Sequence, residues 1–157
     1  MKRILSLLQS LFTGTPLKTA YPKESNSSIP LRQLVNQVMI GILPRTLQQK
    51  CFIVNDVENG VLVNNEKNII ADVIRRLLST TIVYTKDNCI HVSANLSGNT
   101  TWLNINTNDS RQNWAISNSL RQVQSMTEKI GGCVTVINNK LSGITLAFAF
   151  SNQKQAA

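Results

Sequence analysis

The chain has 157 residues, 42% of them apolar, and sixteen Lys and Arg against eight Asp and Glu give it a net charge of +8. That length holds one domain and not two comfortable ones, and no apolar run approaches the roughly 20 residues that span a bilayer. The basic balance favours an acidic partner (nucleic acid, an anionic membrane surface or an acidic protein face), but a merely solvated basic surface is an equal reading.

Residues 1–12 begin like a signal peptide, with Lys2 and Arg3 ahead of an apolar stretch. Ser6, Gln9 and Ser10 interrupt that stretch, and no A-x-A cleavage site follows. Ile4, Leu5, Leu7, Leu8, Leu11 and Phe12 instead fall at helical spacing on one face. An amphipathic docking helix is expected, with Ile4, Leu8 and Leu11 as a face through which the chain could homodimerise. A peripheral membrane contact ranks second and a secretory leader third. Lys2 and Arg3 sit at the helix start, where the dipole opposes them and a partner or lipid head group must compensate. The stretch after Phe12, rich in Pro, Ser, Thr and Gly, reads as a linker.

Ser27 or Ser28 is the expected cap of a first helix, with Pro30 in its first turn. Leu31, Leu34, Val35, Val38, Met39, Ile42 and Leu43 follow at helical spacing. Pro44 disfavours continuation, and residues 46–50 extend the helix only with a kink. Residues 51–55 read as a strand, 56–60 as a turn and 61–63 as a short strand. Asn64 or Asn65 is the expected cap of a second helix carrying Ile69, Ile70, Val73, Ile74, Leu77 and Leu78 on one face.

Residues 89–94 and 102–106 form an expected hairpin that turns at Ser97-Gly98-Asn99. Ile90, Val92 and Ala94 then share one face, and His91 and Ser93 the other. A polar loop, 107–113, leads to a third helix from Ala115 to Ile130, ended by Gly131-Gly132. A last hairpin turns at Asn138-Asn139, and the tail from Ser151 frays. The pattern is helix and two strands, three times over. It predicts an α/β fold, a two-layer sandwich in which about three helices cover one face of a mixed sheet. The expected organisation is an N-terminal segment and linker over 1–28, a domain over 29–151 and a tail over 152–157.

Cys51, Cys89 and Cys133 lie far apart, without CxxC or paired His. They read as small core residues in a reducing compartment, not as a disulfide or a metal site. The single histidine, His91, rules out assembling a nucleophile–His–acid triad with any assurance. Asp56 and Glu58 read as turn formers and not as an acid–base pair. Trp102 and Trp114 are expected in the core or lining a pocket. Arg75, Arg76, Lys86, Arg111 and Arg121 are the candidates for nucleic-acid contact, but aromatics make up only 5% and no stacking motif is present.

From Arg76 the chain reads Arg-Leu-Leu-Ser-Thr-Thr-Ile-Val-Tyr-Thr85. This resembles the N-box, N-L-L-x-N-A-x-K-Y-T, of the histidine-kinase-type ATPase domains, whose fold is shared with gyrase-type and Hsp90-type ATPases. Leu120 to Phe150 is similar to the same family's amphipathic helix, Gly-Gly and closing hairpin. The resemblance covers roughly residues 29–151. It implies nucleotide contacts at Thr80 (where the family's Asn holds magnesium), at Arg76 (the first Asn) and at Thr107, near the Asp of D-x-G-x-G that reads adenine. Asp109 takes that last role only after a local shift. Ser117 and Ser119 lie in the segment standing for G-x-G-x-G.

The departures from the family pattern are chemical. Thr80 brings one hydroxyl with no second oxygen ligand evident beside it. Val83 replaces the lysine that faces phosphate. Residues 113–119 contain no glycine to let the backbone approach a phosphate. Together these argue against ATP hydrolysis or kinase activity. The reading favoured is a non-catalytic, degenerate histidine-kinase-like domain acting as a protein-interaction or signalling module in a bacterial two-component-type system. It would be cytoplasmic or membrane-peripheral, with a signalling-protein partner, no metal site and no cofactor. The first alternative is a nucleotide-binding domain that holds ATP and Mg²⁺ through Thr80, Asp109 and Arg76. The second is a basic nucleic-acid-binding protein.

Overall fold

The computed structural model describes residues 28–64, 66–85, 88–108, 116, 118–139 and 143–151. Within them the elements run β1 (Ile29–Pro30), α1 (Leu31–Gly41), α2 (Leu43–Gln49), β2 (Phe52–Asn55), β3 (Leu62–Val63), α3 (Lys67–Val83), β4 (Cys89–Ser97), β5 (Thr100–Thr107), α4 (Arg121–Glu128), β6 (Cys133–Asn139) and β7 (Gly143–Ser151). Apolar residues at helical spacing decide what each helix buries. Leu31, Leu34, Val35 and Val38 are buried on α1, and Ile70, Val73, Ile74, Leu77, Leu78 and Ile82 on α3.

Five strands make one mixed sheet in the order β2-β4-β5-β7-β6. β2 pairs parallel with β4, and every other pair is antiparallel. Alternation along β5 puts Thr101, Leu103, Ile105 and Thr107 on the buried face. Ile90, Val92, Ile144, Leu146, Phe148 and Phe150 join them, with the two Phe rings 5.0 Å apart. The helices cover this face, so the expected two-layer sandwich stands. On the opposite face Asn106 donates to Thr145 over 2.7 Å and Asn104 to Asn95 over 3.1 Å.

Several local expectations change. Neither expected side-chain cap forms: α1 starts after an extended Pro30, and α3 after Glu66 in the left-handed region, at φ 45°. Ser28 and Asn64 bond to each other instead, over 2.7 Å, beside the two-stranded ribbon of β1 and β3. The kinked first helix is two helices. The chain breaks at Ile42, and Pro44 sits in the first turn of α2, where its missing N–H costs nothing.

Asn138 and Asn139 remain in the ladder, opposite Ile144 and Gly143, so the expected turn does not fall on them. Trp102 is half-buried opposite Ala149, on the face away from the helices, and is not a core residue. Of the cysteines only Cys51 is buried. Cys89 is half-buried, Cys133 is exposed and no disulfide joins them. No helix of the described residues is long and apolar enough to cross a membrane. The Ile4, Leu8 and Leu11 face, Ser27, Asn65 and Trp114 lie outside the described residues.

Candidate functional site

Burying Leu77, Leu78, Thr81 and Ile82 leaves Arg76, Thr80 and Val83 on the outer part of α3. Arg76 and Val83 are exposed and Thr80 is half-buried. Asp72, one turn before Arg76, contacts the Arg75 guanidinium and lies 3.8 Å from Arg76 Nε. Both ion pairs are local to the helix and open to water, so each adds little stability. Thr81 turns its hydroxyl inward and donates to the Leu77 carbonyl over 2.8 Å.

The end of α3 is where elements converge. The Thr85 hydroxyl lies 3.5 Å from that of Thr107, at the end of β5. The Thr85 carbonyl accepts from the Cys51 thiol at 3.4 Å. The hydroxyls of Tyr84 and Ser119 stand 3.5 Å apart, linking α3 to the chain ahead of α4. Behind Thr107, Gly143 runs with φ 89°, and a β-carbon there would fall 2.6 Å from the Asn108 α-carbon. Thr107 is 2% exposed.

The structure thus brings two of the sequence-predicted residues, Thr107 and Ser119, to the end of α3. Thr80 lies one turn before Tyr84, and Arg76 two. Asp109 and Ser117 lie outside the described residues. The convergence of Tyr84 on Ser119 has no signal in the sequence, where Tyr84 reads only as the tyrosine of the N-box-like run.

Magnesium bound to a nucleotide wants hard oxygen donors, carboxylates above all. The described residues offer a guanidinium at Arg76 and a single hydroxyl at Thr80. No group of three His, Cys, Asp or Glu among them could hold a metal ion. Thr107, the residue expected near the adenine-reading position, carries a neutral hydroxyl buried against Thr85. Among the described residues, the donors at Arg76, Thr80 and Thr107 include no carboxylate of the kind a magnesium–nucleotide favours.

Of the basic residues considered for nucleic acid, Arg75 and Arg76 share the Asp72 carboxylate and Arg121 begins α4. Lys86 and Arg111 lie outside the described residues. His91 Nδ1 and Asp56 Oδ2 are 3.2 Å apart on the surface, half-exposed on both sides.

No protein-family model matches the chain, and no curated protein does. Solved structures do. Acinetobacter baumannii histidine kinase AdeS matches at 15% identity and TM-score 0.69, over 98% of this chain and 80% of that one. The cytoplasmic segment of histidine kinase QseC matches at 17% identity and TM-score 0.61, over 97% and 95%. Histidine kinase ThkA, solved in complex with response regulator protein TrrA, matches at 14% identity and TM-score 0.66, over 96% of this chain and 49% of that one. At these identities the likeness is one of fold: the chain has the architecture of a histidine-kinase-type ATPase domain.

Proposed function

We propose that this chain is a non-catalytic module on the histidine-kinase ATPase scaffold, working by contact with a signalling protein in a bacterial two-component-type system. Residues 29–151 form the module and 1–28 its N-terminal arm, in the cytoplasm. The observation that carries this reading is the donor set along α3 and β5. Arg76, Thr80 and Thr107 supply a cation and two hydroxyls where the family pattern has two amides and a carboxylate. Adenine recognition and magnesium coordination both lose their ligands, so neither ATP hydrolysis nor phosphoryl transfer is expected.

The fold supports a signalling role, and the ThkA–TrrA complex supports a protein partner of the response-regulator kind. Isothermal titration of the full chain with ATP and with ADP, each with Mg²⁺, tests the reading. No saturable heat is expected, and micromolar binding would overturn it.

The exposed guanidinium of Arg76 is the one observation that favours nucleotide binding through non-standard contacts, since it could meet a phosphate. On that second reading Thr80→Ala abolishes the binding. Binding that Thr80→Ala leaves unchanged excludes this site.

A further inference from the structure

Ile40 at the end of α1, and Leu43 and Leu47 one turn apart on α2, lie off the residues that these helices bury. They are 74%, 52% and 68% exposed, and Phe52, at the start of the edge strand β2, is 72% exposed. With Met39 and Ile53 they line an open groove of about 510 Å³ between the two helices and the sheet edge. Its walls are fixed to each other: Asn55 Nδ2, at the end of β2, donates to the Arg32 carbonyl over 3.1 Å and to Asn36 Oδ1 over 2.8 Å. A pre-formed apolar surface of this kind is normally a contact site.

We infer that the groove is the seat of residues 4–12 of the same chain, which lay Ile4, Leu8 and Leu11 against Ile40, Leu47 and Phe52. These residues lie outside the described ones, and three observations choose them as occupant. The first is chemical: from Ile4 to Phe12 the segment carries no charge, and its apolar residues recur at helical spacing in the sequence.

The second is reach. The groove lies about 14 Å along α1 from its start, at 1.5 Å per residue. A random-coil chain as long as residues 13–27 would have a root-mean-square span of about 20 Å. The tether therefore matches the distance and holds the segment at an effective concentration on the order of millimolar.

The third is charge. From Leu31 to Lys50 the chain has basic residues and no acidic one, with Arg45 and Lys50 exposed near the groove. An occupant with cations along its length is repelled, whereas here Lys2 and Arg3 sit at one end and can lie clear. The inference does not depend on whether the protein binds nucleotide.

Methyl-labelled full-length protein tests it. Nuclear Overhauser contacts are expected between the Leu8 and Leu11 methyls and the Phe52 ring, within one chain. Leu47→Asp, at an exposed position that the fold tolerates, should remove them and speed amide exchange over residues 4–12 by about tenfold. Leu8→Asp should shift the Ile40 and Leu47 methyl signals from the other side. The inference is overturned if residues 4–12 exchange equally fast in the parent and in Leu47→Asp. It is overturned too if the contacts appear only between differently labelled chains, which would make a second copy the occupant, or only with anionic phospholipid vesicles.

Discussion

The side-chain hydroxyls of Thr85 and Thr107 lie 3.5 Å apart, joining the end of α3 to the end of β5 in the protein interior. Both residues are about 1–2% exposed. A carboxylate at Thr107 would therefore be buried beside a neutral hydroxyl. Thr107→Asp should cost about 3 kcal/mol or more, because an unpaired charge is taken out of water. Urea denaturation measures it. A cost under about 1 kcal/mol would mean that this position opens to solvent, as a nucleotide pocket requires.

Two glycines lie hard against neighbouring backbone. A β-carbon on Gly132 would overlap the Ala149 carbonyl, and Gly143 combines positive φ with backbone contact at Asn108. Gly132→Ala and Gly143→Ala should each cost about 2 kcal/mol or more. Gly60→Ala, with nothing within 4 Å of its β-carbon, should stay within about 0.5 kcal/mol and serves as the control.

Thr101 is fully buried, and its hydroxyl has no hydrogen-bond partner among the described residues. Its desolvation is uncompensated, while its shape and strand preference are those of valine. Thr101→Val should raise stability by about 1 kcal/mol in thermal or urea unfolding. A loss of stability would show that the hydroxyl has a partner.

Ser28 and Asn64 are joined by a side-chain hydrogen bond of 2.7 Å. Ser28→Ala and Asn64→Ala should therefore be non-additive, with a coupling of about 0.5 kcal/mol in a double-mutant cycle. If each residue capped its own helix, the two effects would simply add.

That last pair shows where the sequence was legible. Ser28 and Asn64 both have the chemistry of an N-cap and both stand just ahead of an apolar periodic run. What removes them from that role is the pairing of Ile29 with Val63, a contact between distant segments that no local pattern encodes. The core faces of α1 and α3 and the alternation of β5 could be read directly, because burial follows the helical and strand periods. The Asn138-Asn139 turn could not. The pairing of β6 with β7, from Cys133 opposite Ala149 onward, carries both asparagines into the ladder. The same pairing explains Cys133: it shares the outer face with Ala149 and Trp102, so an apolar neighbourhood in sequence did not become a core in space.

In the candidate site, the sequence itself sets Arg76, Thr80 and Thr107 against the family's amides and carboxylate and puts no glycine in 113–119. The burial of Thr107 against Thr85 and the approach of Tyr84 to Ser119 required the fold. The apolar groove had a local signal, since Ile40 and Leu47 are large apolar residues off the core stripe. It becomes a groove only when β2 is laid alongside.

The central claim is that the residues occupying the nucleotide-gripping positions no longer grip one. The most direct measurement titrates a non-hydrolysable ATP analogue with Mg²⁺ into the ¹⁵N-labelled full chain and follows the amides of Arg76, Thr80, Thr107 and Ser119. The account predicts no saturable, site-specific shift at these positions up to millimolar ligand concentrations. Saturable shifts centred on α3 and the end of β5, with a micromolar Kd, would contradict it.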